Sequence, residues 1–245
     1  VKPCPHALPS SVIAMVNAAI TETVPSSEVE QPQAVMVGAR QEAVPVRSDR
    51  FDNRDFWNHR YTTNMSLGSG WGSRLEEVVE LKRSLMRAAI EQADAHSLLD
   101  IGCGDIEVIR GVSYAGSYHG IDISDVVVER NRALKPEWTF THGDFVELGQ
   151  RGELTSDLVM CFDVLIHQHE RHEYEQMVAG LVRNTRSLGL IAAYEDVPQG
   201  ANSSSITAFH EPITETLHRC GATEIQVIGE YRDTAVVAYR PPTAS

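Results

Sequence analysis

Two glycines one residue apart, Gly102 and Gly104, stand behind an acid, Asp100, and are the residues of this chain most clearly placed to do chemistry. They close the run Ser97-Leu-Leu-Asp-Ile-Gly-Cys-Gly-Asp105. An apolar run ending in such a turn predicts a buried strand whose backbone can approach a ligand closely. In an α/β sheet, a turn at the carboxyl end of a central strand is where a nucleotide-like ligand sits. Asp122 follows 22 residues after Asp100. An acid about 20 residues past a glycine turn can accept both hydroxyl protons of a ribose. Asp144, in Gly143-Asp-Phe145, is placed to accept from an adenine amino group, and Asp163 ends a further apolar run. Four successive strand ends thus carry acids toward one crevice. The turn and its acid alone also suit a dinucleotide-binding oxidoreductase of the NAD type.

The elements that must hold these residues follow from periodicity. Residues 52–61 predict a short helix with Phe56, Trp57 and Tyr61 near one face. A Gly/Ser loop over 66–73 leads to an amphipathic helix from Arg74 to about Ala95, with Leu75, Val78, Val79, Leu81, Leu85 and Met86 at helical spacing. Strand and helix then alternate: strand 97–101, helix 106–112, strand 118–121, helix 125–133, strand 138–142 with a turn, strand 158–162, helix 170–184, strand 189–193. A helix over 211–219 precedes two last strands, 224–229 and 234–239. Such alternation predicts a mainly parallel seven-stranded sheet with helices on both faces. The connection 230–233 is too short for a crossover, so one terminal strand runs antiparallel as a hairpin.

Composition narrows the partners. The chain has 245 residues, 42% hydrophobic and 22% charged, which suits one large globular domain with an appendage. A net charge of −13 with no basic run argues against a nucleic-acid partner. No apolar run reaches the roughly 18 residues of a membrane span. The four cysteines make no CxxC pair, so reduced thiols and a cytoplasmic location are expected. The apolar stretch 11–20 is short, flanked by prolines and interrupted by Asn17, which speaks against an export signal. Residues 1–50 are punctuated by proline and read as an extension: a wrap around the domain, a contact with a second subunit in a homodimer, or a partly disordered tail. The expected organisation is an extension over 1–50, a helical lid segment over 51–96 and a core over 97–245.

With these motifs in order, the chain resembles the class I S-adenosylmethionine-dependent methyltransferases, a Rossmann-like family, and within it bacterial small-molecule and sugar O-methyltransferases. The residues that carry the likeness are Leu98-Leu-Asp-Ile-Gly-Cys-Gly104, His119-Gly-Ile-Asp-Ile-Ser124, Gly143-Asp-Phe145, the strand from Asp157 to His167, Leu188–Ala193 and the terminal hairpin. The resemblance implies S-adenosylmethionine as cofactor, with S-adenosylhomocysteine as product. It implies a cofactor site of Asp100, Gly102, Gly104, Asp122, Ile123, Asp144, Phe145 and Phe162, with Trp57, Tyr61 and Gly70 on its methionine side. One departure is Ile106, which stands where the family often has a third glycine.

Methyl transfer to a hydroxyl needs alignment and a general base. His167 is the first candidate, since an imidazole titrates near neutrality; the plainer reading makes it a helix cap. Glu195 could serve as base or orient a hydroxyl, as could Asp196, and Asp163 is a further catalytic candidate. With Asp163 they could also assemble an oxygen-rich Mg²⁺ site, against which stands the plainer reading of solvated acids on an acidic chain. His169 and His172 read as solvated. His210, Glu211 and Tyr194 lie where they could reach a substrate mouth. The implied acceptor is a small-molecule hydroxyl, a saccharide among the candidates. A relative that binds the cofactor without catalysis is the remaining alternative.

Overall fold

The seven strands form one sheet in the order β3-β2-β1-β4-β5-β7-β6. The computed structural model describes residues 51–64, 68–70, 74–150, 154–199 and 206–242. The extension over 1–50, the expected helix within it and most of the small-residue loops lie outside the described residues. Strands β1 (Ser97–Ile101), β2 (Ser117–Asp122), β3 (Thr139–His142), β4 (Ser156–Phe162) and β5 (Thr185–Tyr194) pair in parallel. Strand β7 (Thr234–Arg240) inserts antiparallel between β5 and β6 (Thr223–Tyr231). The order reverses between β1 and β4, so the crevice expected at a switch point lies at their carboxyl ends.

Each buried strand feeds both faces. Leu98, Met160, Leu190 and Val236 pack on one side, with Leu85 and Met86 of α2 (Glu76–Ala93) and Ile109 of α3 (Glu107–Arg110). Leu99, Val159, Ile191 and Val237 pack on the other, with Val178 and Leu181 of α6 (Arg171–Asn184) and Leu217 of α7 (Ile213–Arg219). Burial on both faces is why these strands read as continuous apolar runs rather than as alternation.

Local signals set the helix ends. Helix α1 (Asn53–Thr63) starts at Asp52, whose carboxylate accepts from Asp55 N–H at 2.9 Å. Helix α2 stops at Asp94, a left-handed residue at φ 45°. Helix α4 (Asp125–Leu134) follows β2. Helix α5 (Phe145–Gln150) stands where the sequence predicts only a turn. At six residues it is too short to show periodicity, and its signal is the capping acid Asp144, which accepts from Val146 N–H at 2.7 Å. Helix α3 is four residues long rather than the seven expected: Ile106, at φ 55°, stands outside it as N-cap, and Gly111 caps the other end. The terminal hairpin is tighter than expected: Glu230 and Tyr231 stay in the ladder, and Arg232 at φ 54° turns the chain.

Strand β1 is tied to β4 at its entrance. Asp157 Oδ2 accepts from Ser97 N–H at 2.9 Å, from the Ser97 hydroxyl at 2.9 Å and from His96 N–H at 3.1 Å. Asp157→Ala is expected to cost about 1–2 kcal/mol of stability. The change should appear as a lower melting temperature with unaltered ligand affinity at the far end of the sheet.

Candidate active site

A cavity of about 800 Å³ opens at the carboxyl ends of β1 and β4. Its floor is the glycine turn. Gly102 has φ 68°, and a Cβ there would lie 2.2 Å from Val164 Cγ2, across the switch point. Gly104 has φ 51°, and its Cβ would meet Ser69 Oγ at 2.2 Å. Both positions favour glycine; Gly102 lines the cavity and Gly104 does not. The peptide N–H groups of Gly102 and Cys103 donate to Ile121 O at 2.8 and 3.1 Å, which pins the turn to β2.

Asp122 completes the cradle. Its Oδ2 accepts from Gly104 N–H and its Oδ1 from Ser124 N–H, both at 2.9 Å. Burial pushes its carboxyl up from the ordinary range, and the two backbone N–H groups oppose that shift. Asp100 is also buried and accepts from the Tyr118 hydroxyl at 2.8 Å. Burial pushes its pKa up to about 7, against the Tyr118 bond, which lowers it; the neighbouring Asp122 charge adds to the rise. Two acids side by side with little solvent make this crevice receptive to positive charge.

The side formed by α1 and residues 68–70 is also built from fixed contacts. The Tyr61 hydroxyl and Ser69 Oγ bond at 2.8 Å, and Ser69 Oγ accepts from Asp105 N–H at 2.9 Å. Tyr61, Ser69, Trp57 and Asp105 all line the cavity, whereas Gly70 does not. Ile123, Phe145 and Phe162 line it as well. Asp144 lines it while capping α5 through Oδ1.

His167 lies in a short 3₁₀ turn, Leu165–His167, beyond β4. It is 9% exposed and lines the same cavity. Its Nδ1 lies 2.6 Å from Ile206 O. A carbonyl can only accept, so Nδ1 carries the proton and Nε2 keeps its lone pair. Burial pushes the imidazole below its usual value, toward the neutral form, although the Ile206 bond opposes this. The 3₁₀ turn is strapped to the 206–210 segment by two further bonds, Ala208 N–H to Ile166 O at 2.8 Å and His210 Nε2 with Gln168 O at 2.8 Å.

The other expected acids are engaged. Asp163, at φ 59°, holds the Lys82 ammonium at 2.6 Å on Oδ2 and accepts from the Tyr231 hydroxyl at 2.6 Å on Oδ1. Glu195 lies outside the cavity lining and accepts from Thr214 N–H at 3.2 Å and from the Thr214 hydroxyl, at the start of α7. Asp196 is exposed. Among the described residues no three His, Cys, Asp or Glu side chains gather as a metal ion would require. No described helix is long and apolar enough to cross a membrane. Glu211 joins Arg171 and Arg219 on the surface, and His172 lines the cavity rim with a mostly exposed ring.

Sequence reasoning missed Lys82, Ser69 and Asn53, and it read as solvated His169, whose ring stacks on Phe51 at the cavity wall with Nε2 buried. Lys82 is 1% exposed, and its Nζ lies 4.9 Å from the Tyr231 ring centroid. Its signal is a charge on the buried stripe Val78, Val79, Lys82, Leu85, Met86 of α2, where a lone cation needs a partner.

Comparison with known proteins agrees with this architecture. Residues 98–189 match the family model described as a methyltransferase domain. The magnesium protoporphyrin IX methyltransferase of Synechocystis, solved with bound S-adenosylmethionine, superposes with a TM-score of 0.57 at 17% identity, covering 79% of this chain and 99% of that one. The N-methyltransferase NodS of Bradyrhizobium japonicum, in complex with S-adenosylhomocysteine, superposes at 0.62 with 16% identity, covering 78% of this chain and all of the other. A 4+2 cyclase, SpnF, shares the fold at 0.52 with 15% identity over 70% of this chain and 85% of its own. None of the curated proteins searched matches the sequence.

Because the Asp100 carboxyl binds protons more tightly folded than unfolded, stability falls as pH rises from about 4 through about 7. The Asp100→Asn variant is expected to lose a large part of that slope, measured as denaturant midpoints across the range.

Proposed function

Residues 98–189 match the model of a methyltransferase domain, and from that premise we propose that the chain moves a methyl group from S-adenosylmethionine to a hydroxyl of a small molecule, saccharides among the acceptors considered. The observation that carries this reading is the fixed tautomer of His167, whose Nε2 lone pair belongs to a buried, neutral imidazole on the same cavity as the glycine turn.

The residues present fit the cofactor. Gly102 and Gly104 hold left-handed backbone where a Cβ would collide with Val164 and Ser69, two residues packed on the turn. Asp122 accepts one backbone N–H on each oxygen, and each oxygen has a second lone pair for a ribose hydroxyl. Ile123 and Phe145 offer apolar walls for an adenine. Asp100 and Asp122 favour a ligand with positive charge. When bound, S-adenosylmethionine supplies an electrophilic methyl group on a sulfonium.

The protein's own share is alignment and proton handling. A hydroxyl attacking carbon must lose its proton, and His167 Nε2 is the acceptor for it. The sulfonium would supply the methyl carbon to that oxygen and keep the carbon–sulfur electron pair as a thioether. His167 then holds the proton as an imidazolium, with Nδ1–H still donating to Ile206 O. Asp163 is bound to Lys82 and Tyr231, which supports a role in shaping the β4 end over one as base. The acceptor chemistry rests on His167, since the neighbours in fold include an N-methyltransferase as well.

His167→Ala is expected to lower kcat by about 10² while S-adenosylhomocysteine affinity stays near normal. In the unsubstituted protein kcat/KM should hold level down to pH values below the ordinary imidazole range, because burial depresses this histidine. Labelled-methyl transfer to a panel of hydroxyl and amine acceptors tests both points. Transfer confined to amines, or untouched turnover in the variant, would remove the assignment. Asp122→Ala is expected to weaken S-adenosylhomocysteine binding by calorimetry, through loss of the ribose partner and of the bond that shapes the turn.

A further inference from the structure

The 3₁₀ turn that carries His167 is docked along the 206–211 segment by a row of contacts. His167 Nδ1–H meets Ile206 O at 2.6 Å, Ala208 N–H meets Ile166 O at 2.8 Å, and His210 Nε2–H meets Gln168 O at 2.8 Å. The row ends on an ion pair, Arg171 with Glu211 Oε2 at 2.7 Å. Arg171 is the first residue of α6, and Glu211 stands just before the N-cap of α7.

These contacts close a ring. Arg171 follows His167 by four residues, and Glu211 follows Ile206 by five. The His167–Ile206 bond and the Arg171–Glu211 pair therefore join opposite ends of two short segments. Closing one end of a short loop lowers the entropy lost in closing the other. An exposed ion pair by itself is worth little, but Glu211 has more than one hold. Its side chain is 13% exposed, and it also takes the Arg219 guanidinium and the Thr216 hydroxyl, both on α7. Arg219, with Thr216 and Arg171, brings its carboxyl down to about 2, so it stays ionised at neutral pH. On the other flank of the turn, Asn53 Nδ2 donates to His167 O at 2.8 Å. That bond holds the His167 main chain and leaves the ring's proton to the strap.

We infer that Arg171 and Glu211 are positioning residues for His167: their ion pair clasps the 206–211 strap against the turn, holds Ile206 O on Nδ1 and so reserves the Nε2 lone pair for the acceptor's proton. The inference rests on the reading of His167 as the base. Neither Arg171 nor Glu211 lines the cavity, so both act through the strap. A neutral imidazole released from the carbonyl can carry its proton on either nitrogen, and the form with Nε2–H cannot accept a proton there.

The test reads the tautomer directly. In the full chain labelled with heavy nitrogen, proton–nitrogen correlation spectra tell a protonated ring nitrogen from a bare one, and the His167 signals are those missing from His167→Gln. The parent is expected to carry the proton on Nδ1. Arg171→Met and Glu211→Gln are each expected to lower the ratio of Nδ1–H to Nε2–H forms about two- to fivefold, the scale of a partly exposed ion pair. The kcat for methyl transfer should fall by a similar factor, with KM for the acceptor and S-adenosylhomocysteine affinity near those of the parent. Arg171→Lys, which keeps a cation, should recover most of the loss. Glu175→Gln is the control, because Glu175 pairs with Arg171 Nε at 3.1 Å and with Arg219 at 3.4 Å but lies off the strap. It should leave the tautomer where it is in the parent. A parent ring protonated on Nε2, an unmoved tautomer in Arg171→Met and Glu211→Gln, or an equal shift in Glu175→Gln would overturn the inference. The outcomes separate it from the proposed reaction. A tautomer that shifts while turnover holds removes His167 as the base and leaves the clasp standing. An unmoved tautomer, with turnover still lost in His167→Ala, does the reverse.

Discussion

The Asp122 carboxylate ties two strand ends together through Gly104 N–H and Ser124 N–H, and the cradle depends on that bridge. A carboxylate with so little solvent is costly unless its oxygens are met. Two backbone N–H groups meet them, one from each loop, and so the loops cannot move apart without exposing the charge. The glycine turn is further pinned from β2 through Ile121 O. Asn131 supports it from behind, donating to Gly104 O at 2.7 Å. Held this way, the chain tolerates a β-branched residue, Ile106, in the left-handed region at φ 55°. Such a residue costs on the order of 1–3 kcal/mol and persists only where its surroundings over-determine it. Its side chain is almost wholly buried, which supplies part of the compensation.

Charge around the cavity is divided between two arrangements. Asp100 and Asp122 lie without a direct cationic partner, and both carboxyls are raised by burial. Asp163, across the switch point, is bonded directly by Lys82 and Tyr231. A buried ion pair adds little net stability but resists the loss of either partner. It also pins Asp163 in its left-handed conformation, which sets the path of the chain toward Val164 and hence the wall facing Gly102. The unpaired acids are therefore left to the ligand, while the paired one is part of the frame. Asp163 and Asp100 look alike in sequence, each an acid at the end of an apolar strand. Their different roles follow from a lysine on α2 that reaches only one of them with a hydrogen bond.

The fold by itself does not select the reaction, since a cyclase and methyltransferases share this architecture. The discriminating groups are on the connections: the α1 start, the 3₁₀ turn after β4 and the strap at 206–210. The strap fixes the His167 tautomer through a backbone carbonyl, so its contribution is independent of the side chain at position 206. The end of the cavity at His167 is a composite of three segments far apart in the chain.

Periodicity alone determined the alternation of strand and helix, the reversed last strand and the turn at Gly102 and Gly104, because these are local or follow from connection length. The spacing of Asp100, Asp122 and Asp144 was readable for a related reason: in a parallel sheet each strand ends at the same edge, so acids at strand ends converge. The short helix α5 was not readable, since six residues are too few to show a period. Neither was the difference between Gly70, which the fold leaves off the cavity, and Tyr61, which it puts on it. Lys82 beside Asp163, Ser69 between Tyr61 and Asp105, and Asn53 and His169 beside His167 were decided only by tertiary structure. Each joins segments that are distant in sequence or belong to different loops, and their meeting depends on how helices cross the sheet. Local propensity has no term for that crossing. The sequence alone thus specifies the glycine turn and the acids at the strand ends, and the packing of α1, α2 and the 206–210 strap decides which side chains meet them across the cavity.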